Sequence, residues 1–178
     1  PDEVIDLKSL IQQSNNFPLT IVVNAGGSIP SIHDFFPEEY DSFSDKVSAN
    51  AQLHIATAIK SIGIQLSPGF LKTGYLPDES DNLSFFTLGI GGSVKISKKV
   101  SANIEYLHSF TSEISNKNPL SLGVDLDTGG HLFQLVLSNS QQMFDQGIYT
   151  QTSGDWTKGS LFFGFNLIRE FHLKYYEL

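Results

Sequence analysis

Hydrophobic and polar residues alternate along most of the chain, with the period of two that is typical of β-strands with unlike faces. In Val47–Ile59, for example, Leu53 and Ile55 fall on one face while Asn50 and His54 fall on the other. The alternating segments, five strong and then four weaker, are Val47–Ile59, Ile62–Phe70, Phe86–Ile96, Val100–Phe110, Leu161–Phe171, Val4–Gln12, Leu19–Ile29, Leu120–Thr128 and Phe133–Ser138. The pattern predicts about nine strands, most of them long enough to cross a bilayer at a tilt.

The links between these segments alternate strictly between short and long. Tight turns are predicted at Lys60–Ser61, Lys98–Lys99 and Gly129–Gly130, and long polar links at Pro30–Lys46, Gly74–Leu83, Thr111–Pro119 and Asn139–Thr157. Outer-membrane barrels have this arrangement, with short periplasmic turns and longer external loops. Helical periodicity is hard to find, and a short helical turn is predicted only within Glu38–Val47. The links therefore predict an up-and-down antiparallel sheet with its long loops at one end.

The two faces of the predicted strands suit two different solvents. One face is aliphatic and aromatic without charge in mid-strand, and the other carries mainly Ser, Thr, Asn, Gln and Gly. The residues that we expect to face lipid are Leu53, Ile64, Leu88, Ile104 and Phe165. The residues that we expect to face inward are Asn50, Gln65, Ser93, Asn103 and Asn166. Aromatic residues near the strand ends fit interfacial girdles. A soluble β-barrel or sandwich that buries the apolar face is the alternative.

Composition narrows the functional class. Charged residues make up only 17% of the 178 residues. Even so, no run of apolar residues approaches the ~20 that a membrane helix needs. The net charge of -8, without a cluster of Lys or Arg, argues against a nucleic-acid partner. The absence of cysteine excludes disulfides and thiolate metal sites. The sequence therefore predicts an all-β, antiparallel transmembrane β-barrel.

Strand parity bears on the extent of the domain. With short turns placed in the periplasm, the first and the last of nine strands both run inward, whereas single-chain bacterial barrels have an even number of strands. Residues 1–178 are therefore expected to form one outer-membrane β-barrel domain that is the C-terminal part of a larger barrel, with N-terminal strands missing. In the alternative, Val4–Gln12 is no membrane strand and the eight strands from Leu19 to Phe171 close by themselves.

Two groups of polar residues are candidate sites. Asp125, Asp127 and His131 flank the Gly129–Gly130 turn, where they could bind a metal or a proton at the periplasmic mouth. The other interpretation is a hairpin corner in which Asp side chains accept backbone N–H groups. The candidate lumen residues, which could line a pore or pair with one another, are His54, Glu105, Asn50, Gln65 and Asn103. No cofactor is expected, and no spacing of Ser, His and acid singles out a nucleophile, so the chain is not expected to be an enzyme.

The last third of the chain resembles a known family. The elements that carry the resemblance include Pro119–Gly123, Thr128–His131, Phe133–Leu135, Asn139–Ser140, Gly154–Trp156 and Gly164–Asn166, with Leu66–Pro68 and Leu88–Gly92 upstream. They are similar to an uncharacterised outer-membrane β-barrel family of Bacteroidetes-type bacteria, a domain of unknown function. The resemblance implies a fold and a location, and it implies no activity.

Three functions are compatible with these observations. The first is a bacterial outer-membrane protein in contact with lipid, either a passive channel or a closed structural barrel, without catalysis. The second is an anchoring or docking subunit of a larger cell-envelope complex, which would bind other envelope proteins through the long loops. The third is a soluble β-barrel that binds an apolar ligand.

Overall fold

A single antiparallel sheet organises the chain. The computed structural model describes residues 3–13, 19–29, 42–74, 84–111, 117–142 and 144–169. The strands are β1 Glu3–Gln13, β2 Leu19–Ile29, β3 Ser48–Ile59, β4 Ile62–Lys72, β5 Ser84–Lys95, β6 Val100–Ser109, β7 Leu120–Asp127, β8 His131–Ser138 and β9 Phe162–Arg169. Each strand pairs antiparallel with its neighbours in sequence, in the order β1 to β9. The nine strands predicted from alternation are thereby confirmed.

Short helices lie in two of the long links. Helix α1, Phe43–Lys46, falls within the predicted helical turn, whose first residues lie outside the described part of the chain. Helix α2, Asp145–Thr150, and a 3-10 helix, Trp156–Lys158, occupy the link between β8 and β9. The sequence did not predict α2, because six residues are too few to display a helical period. No helix in the described ranges is both long and apolar enough to cross a membrane.

The sheet is curved, and its polar face is the concave one. Side chains of β2, β3 and β6 all bond to α2, so α2 lies on the inside of the curve. Large apolar side chains are exposed on the opposite face, and they include Leu53, Ile64, Ile90, Ile104, Tyr106, Leu122, Phe163, Phe165 and Leu167. A sheet that exposes this many large apolar residues on one face is adapted to a nonaqueous environment.

The two edges of the sheet are β1 and β9. Eight antiparallel steps separate them, so both strands run in the same direction, as the parity argument expects. Strand β2 pairs with β1 on one side and with β3 on the other, so β2 has no free edge for β9. The alternative in which eight strands starting at Leu19 close by themselves is therefore wrong. That strands are missing upstream stays a prediction.

Candidate functional site

The concave face forms a polar lumen. It borders a partly open cavity of about 1450 Å³, and Ile148 of α2 is among the residues that line this cavity. Polar residues on the cavity wall include Gln65, Ser93, Asn103, Glu105, Asp125 and Asn166. Each of them lies on the polar face of its strand, so period-two alternation is what brings residues from five strands to one wall. The volume suits small solutes or a column of water.

Helix α2 is bonded across the lumen to the far wall. The Asp145 carboxylate accepts hydrogen bonds from Asn50 Nδ2 at 2.7 Å and from Asn24 Nδ2 at 3.3 Å. The Ser28 hydroxyl donates to Gln146 Oε1 at 2.7 Å. The carboxylate acceptor strengthens the two bonds to Asp145, and the three bonds together fix the start of α2 against β2 and β3. The link between β8 and β9 is thus folded into the barrel instead of projecting from it.

Tyr149 anchors the other end of α2. Its side chain is only 2% exposed and packs in a small apolar cluster with Leu71 and Phe85 from the inner face. The Ser109 hydroxyl donates to the Tyr149 carbonyl at 3.2 Å. Burial raises the pKa of the Tyr149 phenol to about 12, although a hydrogen bond with the Thr87 side chain lowers it in part. At neutral pH the phenol is therefore uncharged, as its surroundings require.

A second set of contacts ties the base of the same link to the barrel rim. Asn139 accepts from Leu120 N at 2.7 Å and donates from Nδ2 to the carbonyls of Asn118 and Gly154, each at 3.2 Å. The Gly154 N–H donates in turn to the Asn139 backbone carbonyl at 3.1 Å. A Cβ atom at Gly154 would collide with that carbonyl, so only glycine fits. Trp156 Nε1 donates to the Leu120 carbonyl at 2.9 Å.

Close by, Asp155 caps the 3-10 helix without lining the cavity. Its Oδ1 atom accepts from Thr157 N at 2.9 Å and from Thr157 Oγ1 at 2.6 Å. These bonds, with Lys117 and Lys158 nearby, hold the pKa of Asp155 below its ordinary value. Lys117 Nζ lies 3.9 Å from Oδ2, and such a partly exposed ion pair contributes little to stability.

The candidate lumen residues fall into three environments. Asn50 holds α2, and Gln65, Asn103 and Glu105 line the cavity wall. His54 Nδ1 lies 2.9 Å from Ser67 Oγ, a contact that the sequence analysis did not identify.

A third polar side chain shares the contact between His54 and Ser67. Gln65 Nε2 donates to the same Ser67 oxygen at 3.0 Å, so an amide approaches the pair from that side. The next residue, Pro68, has no N–H, and the ladder between β3 and β4 is interrupted there. The three polar side chains therefore satisfy one another at a gap in the ladder.

The turn between β7 and β8 keeps its candidate residues apart. The Asp127 carboxylate accepts the Gly129 N–H at 2.7 Å, and Asp125 accepts from Gln134 Nε2 at 3.2 Å. The His131 carbonyl, instead of its ring, accepts from Thr128 Oγ1 at 3.0 Å. Within the described ranges, no three His, Cys, Asp or Glu side chains come close enough to hold a metal ion. These contacts are those of a hydrogen-bonded hairpin corner.

A curved sheet with an apolar convex face and a polar lumen is the architecture of a membrane barrel. Residues 2–171 match the family model described as a membrane-bound beta barrel domain, DUF5777. The chain belongs to this family. The DUF5777 description agrees with the convex apolar face and assigns no activity to the lumen. Neither a curated protein nor a solved structure matches the chain.

Proposed function

We propose that the protein is a passive outer-membrane β-barrel, without catalysis, whose polar lumen is narrowed at the long-loop end by the inward-folded link. The observation that carries this proposal is the position of α2, which bonds to β2, β3 and β6 beside a cavity of about 1450 Å³. The resemblance to a Bacteroidetes-type outer-membrane family supports the location. The alternation of short and long links supports the orientation, with the narrowed end outside.

Helix α2 narrows the lumen, so a variant without this helix should have a wider lumen. Asn139 and Gly154 bond to each other across the base of the link, which brings the chain close together there. Residues 141–151, which contain all of α2, can therefore be replaced by a Gly-Ser-Gly linker while the contacts of Asn139, Gly154 and Trp156 are kept. We call this change the open-link variant.

Planar bilayer recordings test the proposal. The protein should give low conductance, and the open-link variant should give clearly larger unitary steps because the cavity beside α2 is then continuous with the solvent. The D155N variant is the matched control: it lies in the same link but leaves α2 in place, so its conductance should equal that of the original protein. Equal conductance in the original protein and the open-link variant would refute the narrowing. A protein that stays soluble without detergent would refute the membrane location.

A further inference from the structure

The charged residues that line the cavity are acidic, whereas Lys95, on the same face of the sheet at the end of β5, does not line it. Among the described residues that line the cavity, Glu105 and Asp125 are the two carboxylates, and no Lys or Arg is present.

The two carboxylates differ in how far they are engaged with neighbours. Asp125 accepts a hydrogen bond from Gln134, its cross-strand partner, which disperses part of its charge. Glu105 lies across from Gly91 on one side and Ser121 on the other, so small residues flank it. Glu105 has a solvent-accessible surface and is among the residues that line the cavity. Glu105 therefore presents the more accessible charge to a solute in the lumen.

We infer that the lumen selects small cations over anions, with Glu105 as the main specificity-determining residue and Asp125 as a weaker one. A water-filled cleft with low-dielectric walls focuses the field of the charges that line it. Acidic side chains in a pore favour cations for this reason. The inference rests on the proposed passive lumen, because selectivity has meaning only where ions pass.

The size of the effect follows from Coulomb's law. One charge about 10 Å from the path of an ion, in a water-like dielectric, favours a monovalent cation about twofold and disfavours an anion about twofold. Removing the Glu105 charge should therefore lower the permeability ratio of K⁺ to Cl⁻ about fourfold. The effect should grow at low salt, because the screening length increases from about 3 Å at 1 M to about 30 Å at 0.01 M.

Reversal potentials in KCl gradients test the inference in the open-link variant. We expect K⁺ selectivity that E105Q reduces strongly and D125N reduces less, whereas D155N, outside the lumen, leaves it unchanged. Protease resistance in lipid verifies that each variant is folded. Conductance without cation preference would overturn the inference and leave the proposed function standing. A preference that E105Q does not change would overturn the assignment to Glu105, and the absence of current in every variant would overturn both proposals.

Discussion

Arginine substitutions on β6 test which solvent each face of the sheet meets. Ile104 lies midway along this ten-residue strand, on the apolar face, and is 50% exposed. At ~3.4 Å per residue and a tilt of ~40°, the strand spans a height of ~26 Å, close to the apolar band of a barrel. Ile104 therefore lies near the bilayer midplane, where an Arg costs about 2–4 kcal/mol. We therefore expect I104R to lower the free energy of unfolding in lipid by about 2–4 kcal/mol.

Two control substitutions separate depth from orientation. N103R places the same charge one residue away on the cavity wall, where water is available, so it should cost much less. I96R lies in the turn after β5, near the interface, and should cost only about 0–1 kcal/mol. Urea titrations of folding into lipid vesicles measure all three free energies. Similar costs for I104R and N103R would show that the two faces do not meet different solvents and would refute the membrane assignment.

Two further predictions concern the link between β8 and β9. G154A should loosen the link by about 1–3 kcal/mol through overpacking against the Asn139 carbonyl. Protease cleavage within the link should therefore rise, whereas G130A, where a Cβ meets nothing within 4 Å, should behave as the original protein; equal cleavage in both would contradict the packing argument. Because the folded pKa of Tyr149, about 12, exceeds the ordinary value of ~10, its contribution to docking α2 is complete below pH ~10 and is lost between pH ~10 and ~12. Phenolate absorbance should show one tyrosine titrating late, and Y149F should remove that step; a late step that persists in Y149F would contradict the assignment.

The strands could be predicted from the sequence because each is specified by its own residues. Alternation determines which side chains share a face, and a tight turn then determines the register of the hairpin around it. The contact between His54 and Ser67 follows from the same rule. Once Lys60–Ser61 is the turn, Ile59 faces Ile62, and counting outward places His54 opposite Ser67. This polar pair could therefore have been predicted from the sequence, although the ladder between β3 and β4 is interrupted at Pro68 and does not itself pair the two residues.

The inward fold of the link could not be predicted in the same way, because distant residues stabilise it. The bonds from Asp145 reach Asn24 and Asn50, which lie 121 and 95 positions away in the sequence. A helix of six residues has no stability of its own in water, so these contacts decide whether α2 forms. The available signal was composition, because the polar link between β8 and β9 also contains the apolar residues Met143, Phe144, Ile148, Tyr149 and Trp156.

The residues that hold the base of this link are also among those through which the chain resembles its family. Asn139, Gly154 and Trp156, three residues through which the chain resembles its family, bond to one another's backbone or to Leu120 on the rim. Gly154 tolerates no Cβ, and the indole N–H and the Asn139 amide satisfy backbone carbonyls at the point where the chain turns inward. Because buried carbonyls without partners are costly, each of these residue types is required by the inward path of the chain. The last third of the chain is therefore distinctive because it determines how the barrel is filled, whereas alternation alone is enough to build the wall.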